Sequence, residues 1–135
     1  MQTGGRFLLD TNVVIALLAG EEAVLANLDR AAEVFIPTTV IGELFFGAAK
    51  SARPAQNTAT VERFAADRII LACDLSVARE YGLLKVRLRE KGRPLPDNDI
   101  WIAATAKRHG LILVTRDRHF EEVDDLQTAD WVAQP

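Results

Sequence analysis

Four short apolar runs alternate along this chain with longer stretches of helical character, and that alternation predicts the architecture. Phe7-Leu8-Leu9 reads as a buried strand, ended by the polar trio Asp10-Thr11-Asn12, and Val13 to Leu18 then opens a helix closed near Gly20. A second helical stretch around Glu22–Ala32 leads to the strand Val34-Phe35-Ile36, which ends at Pro37, with Thr38 or Thr39 placed to cap the next helix. Ala55 to Ala66 is helical by composition, Ile69-Ile70-Leu71 is the third strand, and Ser76 to Lys91 is a long amphipathic helix opened by Ser76. Gly92, Arg93, Pro94 and Pro96 break the chain before Asp97 or Asn98 starts a helix that runs to about His109, with Gly110 as its C-cap. Leu111 to Val114 is the fourth strand, and Asp130-Trp131-Val132 is expected to add a short fifth at a sheet edge. Continuous apolar strands alternating with helices imply an α/β fold of three α/β/α layers, with a central, mainly parallel sheet of about five strands. No repeat or linker divides the chain, so residues 1–135 are expected to form one domain, with 1–5 a loose start.

Composition narrows the chemistry. Of 135 residues, 49% are hydrophobic, enough for a core and too many for a disordered tail. Sixteen Lys and Arg against nineteen Asp and Glu leave a net charge of −3, so nucleic acid, if bound, would be held by a local patch. The longest apolar run, Val13 to Ala19, falls far short of the roughly 20 residues that cross a bilayer. Asp10 and Asn12 interrupt what a signal-peptide core needs. Cys73 is the single cysteine and His109 and His119 the only histidines, which excludes an internal disulfide and a zinc cluster and suits a reducing cytoplasm.

In parallel α/β folds ligands bind beyond the carboxyl ends of the strands, and there the polar residues are mostly acidic. Asp10 follows the first strand, Glu43 lies in the helix after the second, Asp99 opens the helix after the proline break, and Asp117 comes three residues after Val114. Each acid also has a purely structural role open to it. Asp10 could cap a helix, Asp97 and Asp99 both sit where a helix N-terminus favours negative charge, and Asp117 could shape a turn. Glu43 is harder to explain away, since it lies within the apolar stretch Val40-Ile41-Gly42-Glu43-Leu44-Phe45-Phe46 and there needs a partner or a metal. Converging carboxylates raise one another's pKa unless a cation neutralises them, and oxygen ligands without His or Cys select hard ions such as Mg²⁺ or Mn²⁺.

Four segments carry a resemblance. Phe7-Leu8-Leu9-Asp10-Thr11-Asn12, Thr39-Val40-Ile41-Gly42-Glu43-Leu44, Asp97-Asn98-Asp99-Ile100-Trp101-Ile102-Ala103-Ala104-Thr105-Ala106 and Leu113-Val114-Thr115-Arg116-Asp117-Arg118-His119-Phe120 are similar, in order, to the signature segments of PIN-domain ribonucleases. More narrowly they resemble the VapC toxins of bacterial toxin–antitoxin pairs. The resemblance implies a PIN-like fold in which Asp10, Glu43, Asp99 and Asp117 are the catalytic, metal-binding acids, supported by Thr11, Asn12, Thr115 and, less centrally, Asp97. It further implies Mg²⁺- or Mn²⁺-dependent hydrolysis of RNA to 3′-hydroxyl and 5′-phosphate ends, a homodimer, and inhibition by a VapB-like protein antitoxin.

Other residues have two readings each. Lys85, Arg87, Arg89, Lys91 and Arg93 could track phosphates or form the solvated face of a helix that buries Leu84 and Leu88. Arg116 and Arg118, flanking Asp117, are placed to hold a substrate phosphate. Phe45 and Phe46 cannot both be buried, and the exposed one would line a partner groove. Trp101, Trp131 and Cys73 are expected in the core, His109 serves a helix C-terminus, and His119 lies near the acids without being needed as a base. The alternatives are a phosphatase, which usually has an Asp where Asn12 stands, a receiver-type domain, which needs a lysine beyond Lys107, and a PIN-like module that binds RNA or protein without cutting.

Overall fold

The computed structural model describes residues 5–131. Five strands, β1 (Arg6–Leu9), β2 (Glu33–Pro37), β3 (Ile69–Leu71), β4 (Ile112–Val114) and β5 (Thr128–Ala129), form one sheet in the order β3-β2-β1-β4-β5. Every pairing is parallel, with Leu8 of β1 opposite Phe35 on one side and Leu113 on the other. Successive residues of a strand point to opposite faces, and both Leu8 and Leu9 are fully buried, so helices cover the sheet on both sides. Those helices are α1 (Thr11–Leu18), α2 (Glu22–Arg30), α3 (Thr38–Ala49), α4 (Pro54–Ala66), α5 (Leu75–Glu90) and α6 (Asp97–His109). A short 3-10 helix, Arg118–Glu122, precedes β5.

Local chemistry explains the boundaries. Pro54 starts α4 at the position where a missing N–H costs nothing, and Gly110 ends α6 at φ 65°, a left-handed conformation glycine adopts without strain. The stripe Val77, Leu84, Leu88 buries α5, while Ile100 and the run Ile102–Ala106 make α6 the most enclosed helix, packed chiefly on α5. Truncating a fully buried β-strand leucine such as Leu113 would cost about 2–5 kcal/mol.

Several expectations need correction. α3 is not capped by Thr38 or Thr39. Its N-cap is Pro37, and both hydroxyls turn to the Cys73 sulfur, at 3.6 and 3.4 Å. Cys73 itself is exposed rather than in the core, because β3 is an edge strand that ends just before it. Asp74, not Ser76, caps α5: its carboxylate accepts from the Val77 N–H and from the Ser76 hydroxyl, and these hydrogen bonds hold its pKa low. The fifth strand lies two residues earlier than Asp130-Trp131-Val132. The Leu113 and Thr115 N–H groups donate to the Gln127 and Ala129 carbonyls, while Trp131 turns in to meet Phe7 edge-on at 5.1 Å. Val132 and residues 1–4 of the expected loose start lie outside the described residues. Gly5 is held, its carbonyl accepting from the Ala32 and Glu33 N–H groups at 3.0 and 3.1 Å.

Candidate active site

The strand order places the crevice. The chain builds β2 and β3 on one side of β1 and then crosses to build β4 and β5 on the other, so the loops after β1 and β4 part at their carboxyl ends. Asp10 stands at that point, only 5% exposed, with its backbone N–H donating to the Val114 carbonyl at 2.9 Å. One carboxylate oxygen caps α1 by accepting from the Thr11 N–H at 2.8 Å. The other accepts from the buried Thr115 hydroxyl at 2.7 Å and from the Asn12 amide at 3.4 Å. Capping and site chemistry are therefore combined in one side chain. Burial raises the Asp10 pKa, the hydrogen bonds from Thr115 and Thr11 oppose the rise, and the charges of Glu43 and Asp117 add to it.

Glu43 enters from α3, whose buried stripe is Val40, Leu44 and Ala48. Its partners are neutral donors: the Thr11 hydroxyl bonds one oxygen and the Asn98 amide the other. Asp97, Asn98 and Asp99 follow one another at about 100° around α6, and each reaches a different neighbour. Asp97 turns away to α5, where it accepts from the Tyr81 hydroxyl at 3.0 Å and from Lys85 at 2.9 Å. Asn98 meets Glu43. Asp99 turns to the acids, and desolvation followed by the charges of Asp10, Asp117 and Glu43 pushes its pKa up to about 6. Asp117 completes the group from the loop after β4, its N–H donating to the Thr115 hydroxyl and its carboxylate accepting from the His119 N–H.

Four of the expected acids thus meet and Asp97 does not join them. Among the described residues no three His, Cys, Asp or Glu side chains are arranged to hold a metal ion as they stand. The donor set nevertheless suits a hard cation. All the carboxylate donor atoms are oxygen, and the charges around Asp99 are acidic apart from His119.

The neighbouring cations divide. The Arg116 guanidinium is engaged with Glu21 and its side chain is 31% exposed, whereas Arg118 has a side chain 88% exposed, with Glu121 at 3.8 Å. In the basic run, Lys85 is paired with Asp97, Lys91 with Asp124 and Arg93 with Glu122, so three of the five cations brace the helix instead of standing free. Trp101 is half-buried and stacks on Tyr81 at 4.0 Å. Asn98 and Tyr81 had no assigned role in the sequence reading, although the Asp97-Asn98-Asp99 run carried the signal: three polar side chains on one helical turn must serve three directions.

From the acids an apolar groove of about 440 Å³ extends between α1, α3 and α4, with Thr11 and Glu43 at one end and Ile15, Leu18, Leu44 and Val61 along it. Phe46 on α3 is 66% exposed and carries Lys50 over its ring at 4.8 Å, while Phe45 is half-buried. A second hollow of about 420 Å³, beside Phe7, Arg30 and Trp131, contains none of the acids.

Known proteins resemble this chain over nearly its whole length. Residues 7–126 match the family profile of the PIN domain. Ribonuclease VapC2 of Haemophilus influenzae is 35% identical over 130 residues, which is 94% of this chain and 98% of that protein. The tRNA(fMet)-specific endonuclease VapC of Shigella flexneri is also 35% identical over 130 residues, 93% of this chain and 98% of its own. The crystal structure of DNA-bound VapBC from Salmonella typhimurium contains a chain that superimposes with a TM-score of 0.88 at 32% identity, covering 93% of this chain and 98% of that one. With sequence and fold in agreement over more than nine-tenths of its length, this chain belongs to the PIN domain family, and within it to the VapC ribonucleases.

Proposed function

We propose that the protein is a Mg²⁺- or Mn²⁺-dependent endoribonuclease that acts as a cytoplasmic VapC-like toxin restrained by a VapB-like antitoxin. The observation that carries this reading is the convergence of Asp10, Glu43 and Asp117 on Asp99, whose carboxyl is pushed up to about 6 by burial first and by these three charges next. A cation held by these four acids would relieve their repulsion, activate water and neutralise charge on the phosphoryl oxygens. The chain's own residues prepare the place. Thr115 and Asn12 orient one oxygen of Asp10, Thr11 and Asn98 hold both oxygens of Glu43, and the exposed Arg118, whose neighbour Glu121 is a solvated partner at 3.8 Å, is placed to meet a phosphate flanking the scissile bond. The products would carry 3′-hydroxyl and 5′-phosphate ends.

The groove beside Glu43 suits the inhibitor. An antitoxin segment would lay apolar side chains along Ile15, Leu18 and Leu44 and against Phe46, and direct an Arg or Lys to the acids, whose oxygens a guanidinium matches bidentately. For the homodimer, α5 rather than α6 offers the surface. Leu75, Leu83 and Val86 are exposed there, whereas Ile100 and Ile102–Ala106 of α6 are buried.

Cleavage of RNA, with mapping of the cut ends, tests the reading. Asp10→Asn should fold and fail to cut, and EDTA should silence the wild type. Full cutting by that variant, or undiminished cutting in EDTA, rejects metal-dependent chemistry at these acids. Expression alone should arrest growth, and co-expression of the antitoxin should rescue it.

A further inference from the structure

We propose that Arg116 is a positioning residue: paired with Glu21, it ties the loop bearing Thr115 and Asp117 to the α1–α2 turn and so, together with the Thr115–Asp10 hydrogen bond, sets where Asp117 stands relative to Asp10. The proposal rests on the ribonuclease reading and assigns a role to a residue that the sequence suggested as a phosphate ligand.

The loop leaves the sheet at Thr115, whose N–H is held by the Ala129 carbonyl at 3.0 Å, and is anchored again at the buried Phe120. Between these anchors its hydrogen bonds are mostly internal: the Asp117 N–H to the Thr115 hydroxyl at 3.0 Å and the His119 N–H to Asp117 at 2.9 Å. At its start the loop is fixed directly to Asp10, whose carboxylate accepts from the Thr115 hydroxyl at 2.7 Å. Beyond Thr115, and among the described residues, the hydrogen bonds from this stretch to another element come from Arg116, whose N–H donates to the Asn12 side chain at 3.4 Å and whose guanidinium donates to Glu21.

Glu21 is a firm post. Gly20, at φ 79°, makes the turn that only a residue without a side chain makes freely, and the Glu21 N–H then donates to the Ala16 carbonyl at 3.1 Å. Glu21 is the N-cap of α2, and its carbonyl accepts from the Leu25 N–H at 3.1 Å. The Arg116 side chain is 31% exposed and its Nε is buried without a partner, a desolvation cost that a free phosphate ligand would have no reason to bear. Arg118, two residues on, is 88% exposed and has only a solvated ion pair with Glu121 in its own 3-10 helix, at 3.8 Å. Arg116 faces inward to brace, Arg118 outward.

Arg116→Ala, Glu21→Ala and the swapped pair Glu21→Arg with Arg116→Glu separate the possibilities. The readouts are kcat and KM for cleavage of total tRNA in Mn²⁺, and deuterium exchange across residues 115–120. Each single variant should lower kcat about ten- to hundredfold with KM little changed, and should speed exchange at Asp117 and His119. The swap should restore most of both. A raised KM with intact kcat for Arg116→Ala, alongside a silent Glu21→Ala, would make Arg116 a phosphate ligand and overturn the proposal. Loss of activity only in proportion to loss of folded protein, with no rescue by the swap, would also overturn it. If the wild type cuts no RNA in Mn²⁺, the ribonuclease reading fails, while the exchange comparison still decides whether the pair holds the loop.

Discussion

Asp97 and Asp99 occupy the same first turn of α6, and there the likeness ends. Asp97 is exposed, accepts hydrogen bonds from Lys85 and Tyr81, and has its pKa held low by them. Asp99 is half-buried, faces three other acids and has its pKa raised to about 6. Both profit equally from the positive end of the helix dipole, so proximity to a helix terminus does not separate them. A rotation of about 200° about the helix axis does, because it turns one carboxylate to a cation and the other into a crevice. The lesson is chemical: a carboxylate with its own cation is spent on structure, whereas one surrounded by carboxylates is held in reserve for a cation from outside.

Activity offers the largest contrast. Asp99→Asn should lower RNA cleavage by about 10²–10³-fold, while Asp97→Asn should leave it nearly unchanged in the same assay. Equal losses would erase the distinction. The same division separates the neighbouring phenylalanines: Phe46→Asp should weaken antitoxin binding by about tenfold or more, measured by calorimetry, with catalysis affected far less.

Stability should run the other way from activity. Asp99 has a folded pKa above its unfolded one, so its contribution is fully present below about pH 4 and is lost as pH rises through about 6. Asp99→Asn should therefore stabilise the metal-free protein at pH 7.5 by about 1 kcal/mol, reduced by solvent screening at a half-exposed group, and leave it unchanged near pH 4. Mn²⁺ should raise the wild-type Tm more at pH 7.5 than at pH 5, and much less in the Asp99→Asn variant. The smallest effect belongs to Asp97, whose lowered pKa means that its contribution is present at neutral pH and fades as pH falls through the acid range. Asp97→Asn should lower Tm slightly at pH 7.5, and added salt should shrink the difference.

The central strand was legible because a strand buried on both faces must be apolar throughout, which marks Phe7-Leu8-Leu9 in any reading. The edge strand Ile69-Ile70-Leu71 is apolar without being fully buried and was legible as a short, mainly β-branched run. The fifth strand was misplaced because two paired residues, Thr128 and Ala129, leave no hydrophobic run, whereas Trp131 is apolar for its packing on Phe7. Ser76 and Thr39 look like caps as plainly as Asp74 does, and only the backbone angles at each helix start chose among them. Arg116 and Arg118 are chemically identical in the sequence, and so are the carboxylates of Asp97 and Asp99.

The amino-acid sequence by itself determined the parallel α/β layering and brought an acid to the carboxyl end of β1, to α3, to α6 and to the loop after β4, since periodicity and punctuation are local properties of the chain. Which acids face one another, which arginine is tied to Glu21 and which phenylalanine meets solvent were decided only by the tertiary structure. These are matters of rotation and burial, and a residue's charge state and partners depend on neighbours that are 32 to 105 positions away in the chain for the contacts Thr11–Glu43, Asn98–Glu43 and Thr115–Asp10.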